Sequence, residues 1–255
     1  MELFKSGNPT LTEKIFDRSS NIDASLQGTM TVKGTMNKFG FLLLMVMGAA
    51  AYTWHLYATF NQNLMSGLMM LGIFGGMICA FAMIFKPNWA QYVAPLYAIL
   101  EGFFLGGISA IMNDAFQKSY PGLVMQAVGL TFGVAIAMFL LYNFRIIQAT
   151  EKFKSILISA TMGIGIFYLI SMVLGLFHVN MPFLYDSSPM GIGISLFIVA
   201  IAALNLIMDF DMIEQGAEQG APQFMEWYGA FGLLVTIVWL YIEILKLLSR
   251  FAKRD

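Results

Sequence analysis

The chain has 255 residues, of which 58% are hydrophobic and only 11% charged, and its net charge is −1. A soluble domain carries about 25% charged residues, so this composition excludes one and marks a polytopic membrane protein. With no basic stripe and no aromatic stacking pattern, it also gives no footing for nucleic acid.

Residues 1–38 read as a polar tail, with Lys5, Lys14, Arg18, Lys33 and Lys38 set against Glu2, Glu13, Asp17 and Asp23. Residues 12–18 suit either a short amphipathic surface helix or a loose segment. The first apolar run starts at Phe39, is too long for a signal h-region and lacks a suitably placed cleavage site. It is expected to act as a retained signal anchor.

A helix needs about 20 apolar residues to cross the hydrocarbon core. Seven segments meet that measure: 39–60, 64–85, 91–113, 123–143, 155–177, 191–208 and 227–248. The breaks carry turn residues, such as Asn61-Gln62-Asn63 and Lys86-Pro87-Asn88. Most are short, which predicts antiparallel neighbours in one all-α transmembrane domain, residues 39–250. A β-barrel would show alternating segments of about ten residues, and these blocks are apolar all round. Gly72 and Gly76, Gly102 and Gly106, and Gly129 and Gly133 form G-x-x-x-G pairs, a spacing that lets helix backbones approach closely. The twenty methionines are expected as adaptable packing, and Cys79, the single cysteine, cannot form an intramolecular disulfide.

Lys and Arg near span ends set orientation. An inside N-terminus collects the basic tail, Lys86, Arg145, Lys152 and Lys154 on the inner side, against Lys118 outside. The expected placement is therefore a cytoplasmic membrane with a cytoplasmic N-terminus. Seven crossings leave Lys246, Arg250, Lys253 and Arg254 outside, against the rule; a re-entrant last segment is the alternative.

Catalytic patterns are missing. The chain has two histidines, His55 and His178, and no H-E-x-x-H, G-x-S-x-G or P-loop motif. His55 reads as a packing histidine and His178 as solvated in a loop. Asp209 and Asp211 point to different faces of one helix, unlike a protease dyad. No enzymatic activity is expected.

The intramembrane acids carry the functional reading. Glu101 is the one formal charge between Lys86 and Asp114. A central carboxylate costs about 3 kcal/mol on insertion scales, so it faces a polar cavity, finds a partner or keeps its proton. Tyr97, four residues earlier, offers a phenol. Asn205 and Asp209 share a helix face at i, i+4. Asp211, Glu214, Glu218 and Glu226 follow without an intervening cation, five carboxylates in eighteen residues counting Asp209. They form either an acidic vestibule that concentrates cations or a solvated hairpin. Glu243 has Lys246 at i+3 and can be neutralised by it.

Met208-Asp209, Ile213, Ala217-Glu218 and Leu240-Tyr241-Ile242-Glu243 resemble the Bax inhibitor-1 (transmembrane Bax inhibitor motif) family in its bacterial branch. Met30-Thr31-Val32-Lys33-Gly34-Thr35-Met36-Asn37-Lys38 and Ala94-Pro95-Leu96-Tyr97-Ala98-Ile99-Leu100-Glu101-Gly102 look like a bacterial subgroup. The resemblance spans residues 30–250. It implies a seven-transmembrane-helix bundle with the last helix central, and a pH-sensitive calcium leak. It also implies an aspartate pair on helices six and seven that senses pH; Asp209 matches the first and Glu243 the second, with Glu for Asp. The 34-residue separation is about ten more than in relatives, and a hairpin turning near Gly220 sets Asp209 opposite roughly Phe231. A direct pair is therefore not expected, and Glu101 is the other candidate partner for Glu243.

The resulting expectation is a cation leak channel or transporter gated by protonation of Glu101, Asp209 and Glu243, with Asn205 and Asp211 on its path. Oxygen ligands suit calcium as a transient occupant, and no cofactor is expected. The alternative is a non-conducting regulator that binds a membrane protease or another envelope protein.

Overall fold

The computed structural model describes residues 28–177 and 187–253. The surface helix considered at residues 12–18, and His178, lie outside the described residues.

Seven helices among the described residues are long and apolar enough to cross a membrane. They are α1 (Val32–Ala58), α2 (Gln62–Phe85), α3 (Ala90–Phe116), α4 (Leu123–Asn143), α5 (Glu151–Leu176), α6 (Pro189–Glu218) and α7 (Met225–Ala252). Local chemistry sets their ends. The Thr31 hydroxyl accepts from the Gly34 N–H at 2.9 Å and caps α1. Thr150 caps α5 in the same way, with Glu151 in the first turn. Pro87 stops α2 and opens a single 3₁₀ turn before α3. Gly220, at φ +68°, makes the turn between α6 and α7, where residues with a Cβ are strained.

Two helices outrun their apolar cores. α1 starts at Val32, seven residues before the predicted span, because its polar first turns are capped and held by side chains from elsewhere. α6 runs on to Glu218, so Asp209, Asp211, Glu214 and Glu218 stand on a helix and not in a loop.

The chain forms two compact units. One comprises, among the described residues, 28–115 and Asp209–Val235, and so holds α1, α2, most of α3, the end of α6 and the start of α7. Within it Tyr97 meets the ring of Phe231 edge-on at 4.8 Å, and Gly229 of α7 lies against Ile213 of α6. Its glycines let backbones touch. A Cβ at Gly72 would strike the Leu100 carbonyl, one at Gly102 the Val46 carbonyl, and one at Gly106 the Ala50 carbonyl and Thr53 hydroxyl.

The other unit comprises Phe116–Met208 and residues 236–253. Its core gathers Leu157, Ile158, Ile164, Ile198, Ile201 and Met208, flanked by Tyr168 and Trp239. Gly129 and Gly133 of α4 have nothing within 4 Å of an added Cβ, so this third pair makes no close approach in the described structure.

α7 is the most buried helix: 67% of its most apolar window lies inside, against 11% for α5 and 22% for α1, α2 and α4. Exposed Leu44, Phe74, Ile78, Phe81, Leu169 and Met172 give the outer helices an apolar surface suited to lipid.

Candidate functional site

The acids singled out above are each placed differently. Glu101, on α3, is half-buried and accepts a hydrogen bond from the Tyr97 phenol, one turn earlier. Its Oε2 lies where a Cβ at Gly76 of α2 would be only 3.3 Å away, so the second glycine pair member on α2 makes room for this carboxylate.

Asp209 is fully buried on α6. One turn before it, Asn205 is 2% exposed and donates from Nδ2 to Thr161 Oγ1 at 3.0 Å and to the Ile201 carbonyl at 2.8 Å. Its Oδ1 is buried and has no hydrogen-bond partner among the described residues. An unsatisfied amide oxygen within an apolar helix costs about 1–3 kcal/mol.

Asp211, Glu214 and Glu218 recur at i, i+3 and i+7 along one face of α6. Exposure rises along the stripe, with Asp211 and Glu214 half-buried and Glu218 exposed. Asp211 Oδ2 accepts from Gln215 Nε2 at 2.7 Å.

Glu226 stands apart from that stripe. Although in the first turn of α7, it is only 3% exposed. Its Oε1 accepts from the Thr31 N–H at 2.9 Å and the Thr31 hydroxyl at 2.8 Å, and its Oε2 pairs with Lys38 Nζ. A Cβ at Gly34 would overlap the same carboxylate. The backbone continues the seam: Met30 N–H donates to the Ala221 carbonyl at 2.7 Å, and Gln223 N–H to the Gly28 carbonyl at 2.8 Å. Lys38 also lies over the Trp227 ring, 5.5 Å from its centroid. Residues 28–38 are thus a fitted part of the structure. The sequence puts Glu226 among the vestibule acids and gives no sign that Thr31, Gly34 and Lys38 meet it.

Glu243, 2% exposed on α7, receives the Tyr168 phenol at 3.0 Å to Oε1 and 3.1 Å to Oε2. Lys246 Nζ reaches Oε1 at 3.0 Å and lies 4.9 Å from the centroid of the Tyr168 ring. The i, i+3 neutralisation read from the sequence is present. Tyr168, 75 positions away, had no sequence signal.

Among the described residues no three His, Cys, Asp or Glu side chains come together as a metal site. The acids have polar neighbours of different kinds: Glu101 beside Tyr97, Glu226 with Thr31 and Lys38, and Glu243 with Tyr168 and Lys246. Residues 8–253 match the model of a family described as Bax inhibitor 1 like. The chain belongs to the Bax inhibitor 1-like family. No curated protein and no solved structure gives a significant match. Family membership, seven candidate spans and a deeply buried last helix together make this a Bax inhibitor 1-like multi-pass membrane protein.

Proposed function

We propose that this Bax inhibitor 1-like protein is a pH-sensitive cation leak, with calcium as the transported ion, in the cytoplasmic membrane and with its N-terminus inside. The observation that carries the reading is on α6. A buried, unsatisfied amide oxygen at Asn205 stands one turn from the fully buried Asp209. Oxygen ligands of that kind suit calcium or its hydration water as a passing occupant. Glu218, exposed at the end of the same helix, supports it by drawing cations toward that end of α6. Glu101 and Glu243 act as protonation-sensitive ties: proton uptake on Glu243 removes its attraction for Lys246, and proton uptake on Glu101 changes its bond with Tyr97. Lys86 over Trp89, at 4.6 Å, and Arg145 over Tyr142, at 5.3 Å, fit basic and aromatic anchors on the inner side.

The test is calcium flux into proteoliposomes as pH is varied. Asn205→Leu and Asp209→Asn are expected to lower flux at every pH. Glu101→Gln and Glu243→Gln are expected to flatten the pH profile. Wild-type flux and profile in all four variants would overturn the reading.

One observation favours a second reading, a non-conducting regulator of a membrane protease or other envelope protein. Glu101, Glu226 and Glu243 each have a protein partner of their own. Deleting residues 1–27, which spares the Met30 and Thr31 contacts, separates the two. A regulator loses capture of its membrane partner on deletion, whereas a channel keeps its flux.

A further inference from the structure

A cleft of about 360 Å³ opens where α1 and α3 end and α2 begins, within a single unit of the chain. Its lining includes Trp54, Tyr57, Phe60, Gln62, Asn113 and Asp114. Neither the acids discussed above nor the glycine pairs take part in it.

Three features distinguish this cleft from an ordinary aromatic belt. The first is size, which falls in the range of small-molecule pockets, about 300–1,000 Å³. The second is chemistry. Three aromatic rings, two amides and one carboxylate share a concavity, whereas belt aromatics stand singly at the bilayer surface. Aromatic faces attract ammonium groups, and a carboxylate adds a formal countercharge. Tyr57 Oη donates to Asp114 Oδ2 at 2.9 Å, which orients the carboxylate and leaves Oδ1 able to accept. The amide oxygens of Gln62 and Asn113 supply further acceptors for N–H groups.

The third feature is backbone strain. Phe60 has φ +58° and is 87% exposed. A bulky residue seldom adopts that conformation; here it is the left-handed residue of the Schellman turn that closes α1, as Arg145 at φ +56° is for α4. Here the turn is enforced by Phe60 N–H donating to the Tyr57 carbonyl and Asn61 N–H to the Leu56 carbonyl. The strain keeps an aromatic ring at the mouth of the cleft, where a glycine would relax the chain.

We propose that this cleft binds a primary ammonium group, carried either by a lipid headgroup or by a small free amine. Asp114 is its countercharge, Trp54, Tyr57 and Phe60 its aromatic walls, and the amides of Gln62 and Asn113 its acceptors. A bare metal ion fits less well, because Asp114 is the one carboxylate in the lining.

The full chain, purified in a lipid-free detergent, is titrated with ethanolammonium chloride while tryptophan fluorescence is read. Saturable binding is expected. Loss of a charge-assisted contact in Asp114→Asn weakens it by about tenfold or more. Phe60→Gly weakens binding without lowering the melting temperature, a split that a merely structural Phe60 would not give. Nanodiscs separate the sources. If the occupant is a lipid, discs containing phosphatidylethanolamine suppress the ethanolammonium response and discs of phosphatidylcholine alone do not. If it is a free amine, both discs leave the response intact. No saturable response in detergent, or equal affinity in Asp114→Asn, overturns the proposal.

Discussion

The carboxylate of Glu226 fills the volume that a side chain at residue 34 would occupy. Gly34 is therefore demanded by its neighbour and not by its own backbone. Gly34→Ala must expel or tilt Glu226 from its bonds with Thr31 and Lys38. Overpacking of this kind costs about 1–3 kcal/mol, to be read as a lower melting temperature in detergent. Gly129→Ala, in open space on α4, is the matched control and is expected to leave that temperature unchanged or raise it.

Removing the cation that faces Glu226 should cost more than removing both charges. Lys38→Met leaves the Glu226 carboxylate with Thr31 alone, and because Lys38 is itself only half-buried the loss is about 1–3 kcal/mol. Glu226→Gln keeps acceptors for Thr31 without the charge. The double variant is therefore expected to recover most of the loss, in a thermal-denaturation double-mutant cycle.

Tyr228 presents the opposite case. It is fully buried, and its hydroxyl has no hydrogen-bond partner among the described residues. Tyr228→Phe removes an unsatisfied polar atom and keeps the ring that lies 6.4 Å from Phe231. Stability is expected to hold or to rise by about 1 kcal/mol. A clear drop in melting temperature would show that the hydroxyl has a role.

The glycine pairs should divide by position. At Gly102 and Gly106 the facing groups are backbone carbonyls of Val46 and Ala50, which cannot swing aside. Alanine at either is expected to separate α1 from α3 and cost about 1–3 kcal/mol. Gly133→Ala, with nothing within 4 Å, should be silent in the same melt.

Tyr168→Phe deletes both phenol contacts to Glu243 while Lys246 remains. Lys246 is 44% exposed, and partly exposed pairs contribute about 0–1 kcal/mol. The buried carboxylate then depends on a weak partner, so the protein is expected to melt earlier in detergent. Glu243→Gln alone should keep an amide contact with Tyr168 and melt nearer to wild type.

The apolar spans were legible because hydropathy is a local property, and 123–143 matches α4 at both ends. Their polar extensions were not. Residues 32–38 contain Lys33, Thr35, Asn37 and Lys38, and what makes them helical is the cap at Thr31 together with a carboxylate 188 positions beyond Lys38. Glu214 and Glu218 read as either vestibule or hairpin because the acids after Asn205 run without a cation, yet α6 continues to Glu218 and exposure graded along its face solvates them. The glycine spacing revealed where close approach was available; only three-dimensional neighbours distinguish Gly106 from Gly133. Tyr97 and Lys246 were visible as partners because they sit within a turn of Glu101 and Glu243. Tyr168 and Thr31 were invisible because nothing in their local sequence marks the acid they meet.

The bond from Thr31 to Glu226 spans 195 positions. Chains emerge N-terminus first at about 5–20 residues per second, so α1 is made many seconds before its carboxylate anchor exists. Until then Lys38 must remain hydrated and Gly34 faces an empty groove. Once α7 is in place, Glu226 fastens the first turns of α1.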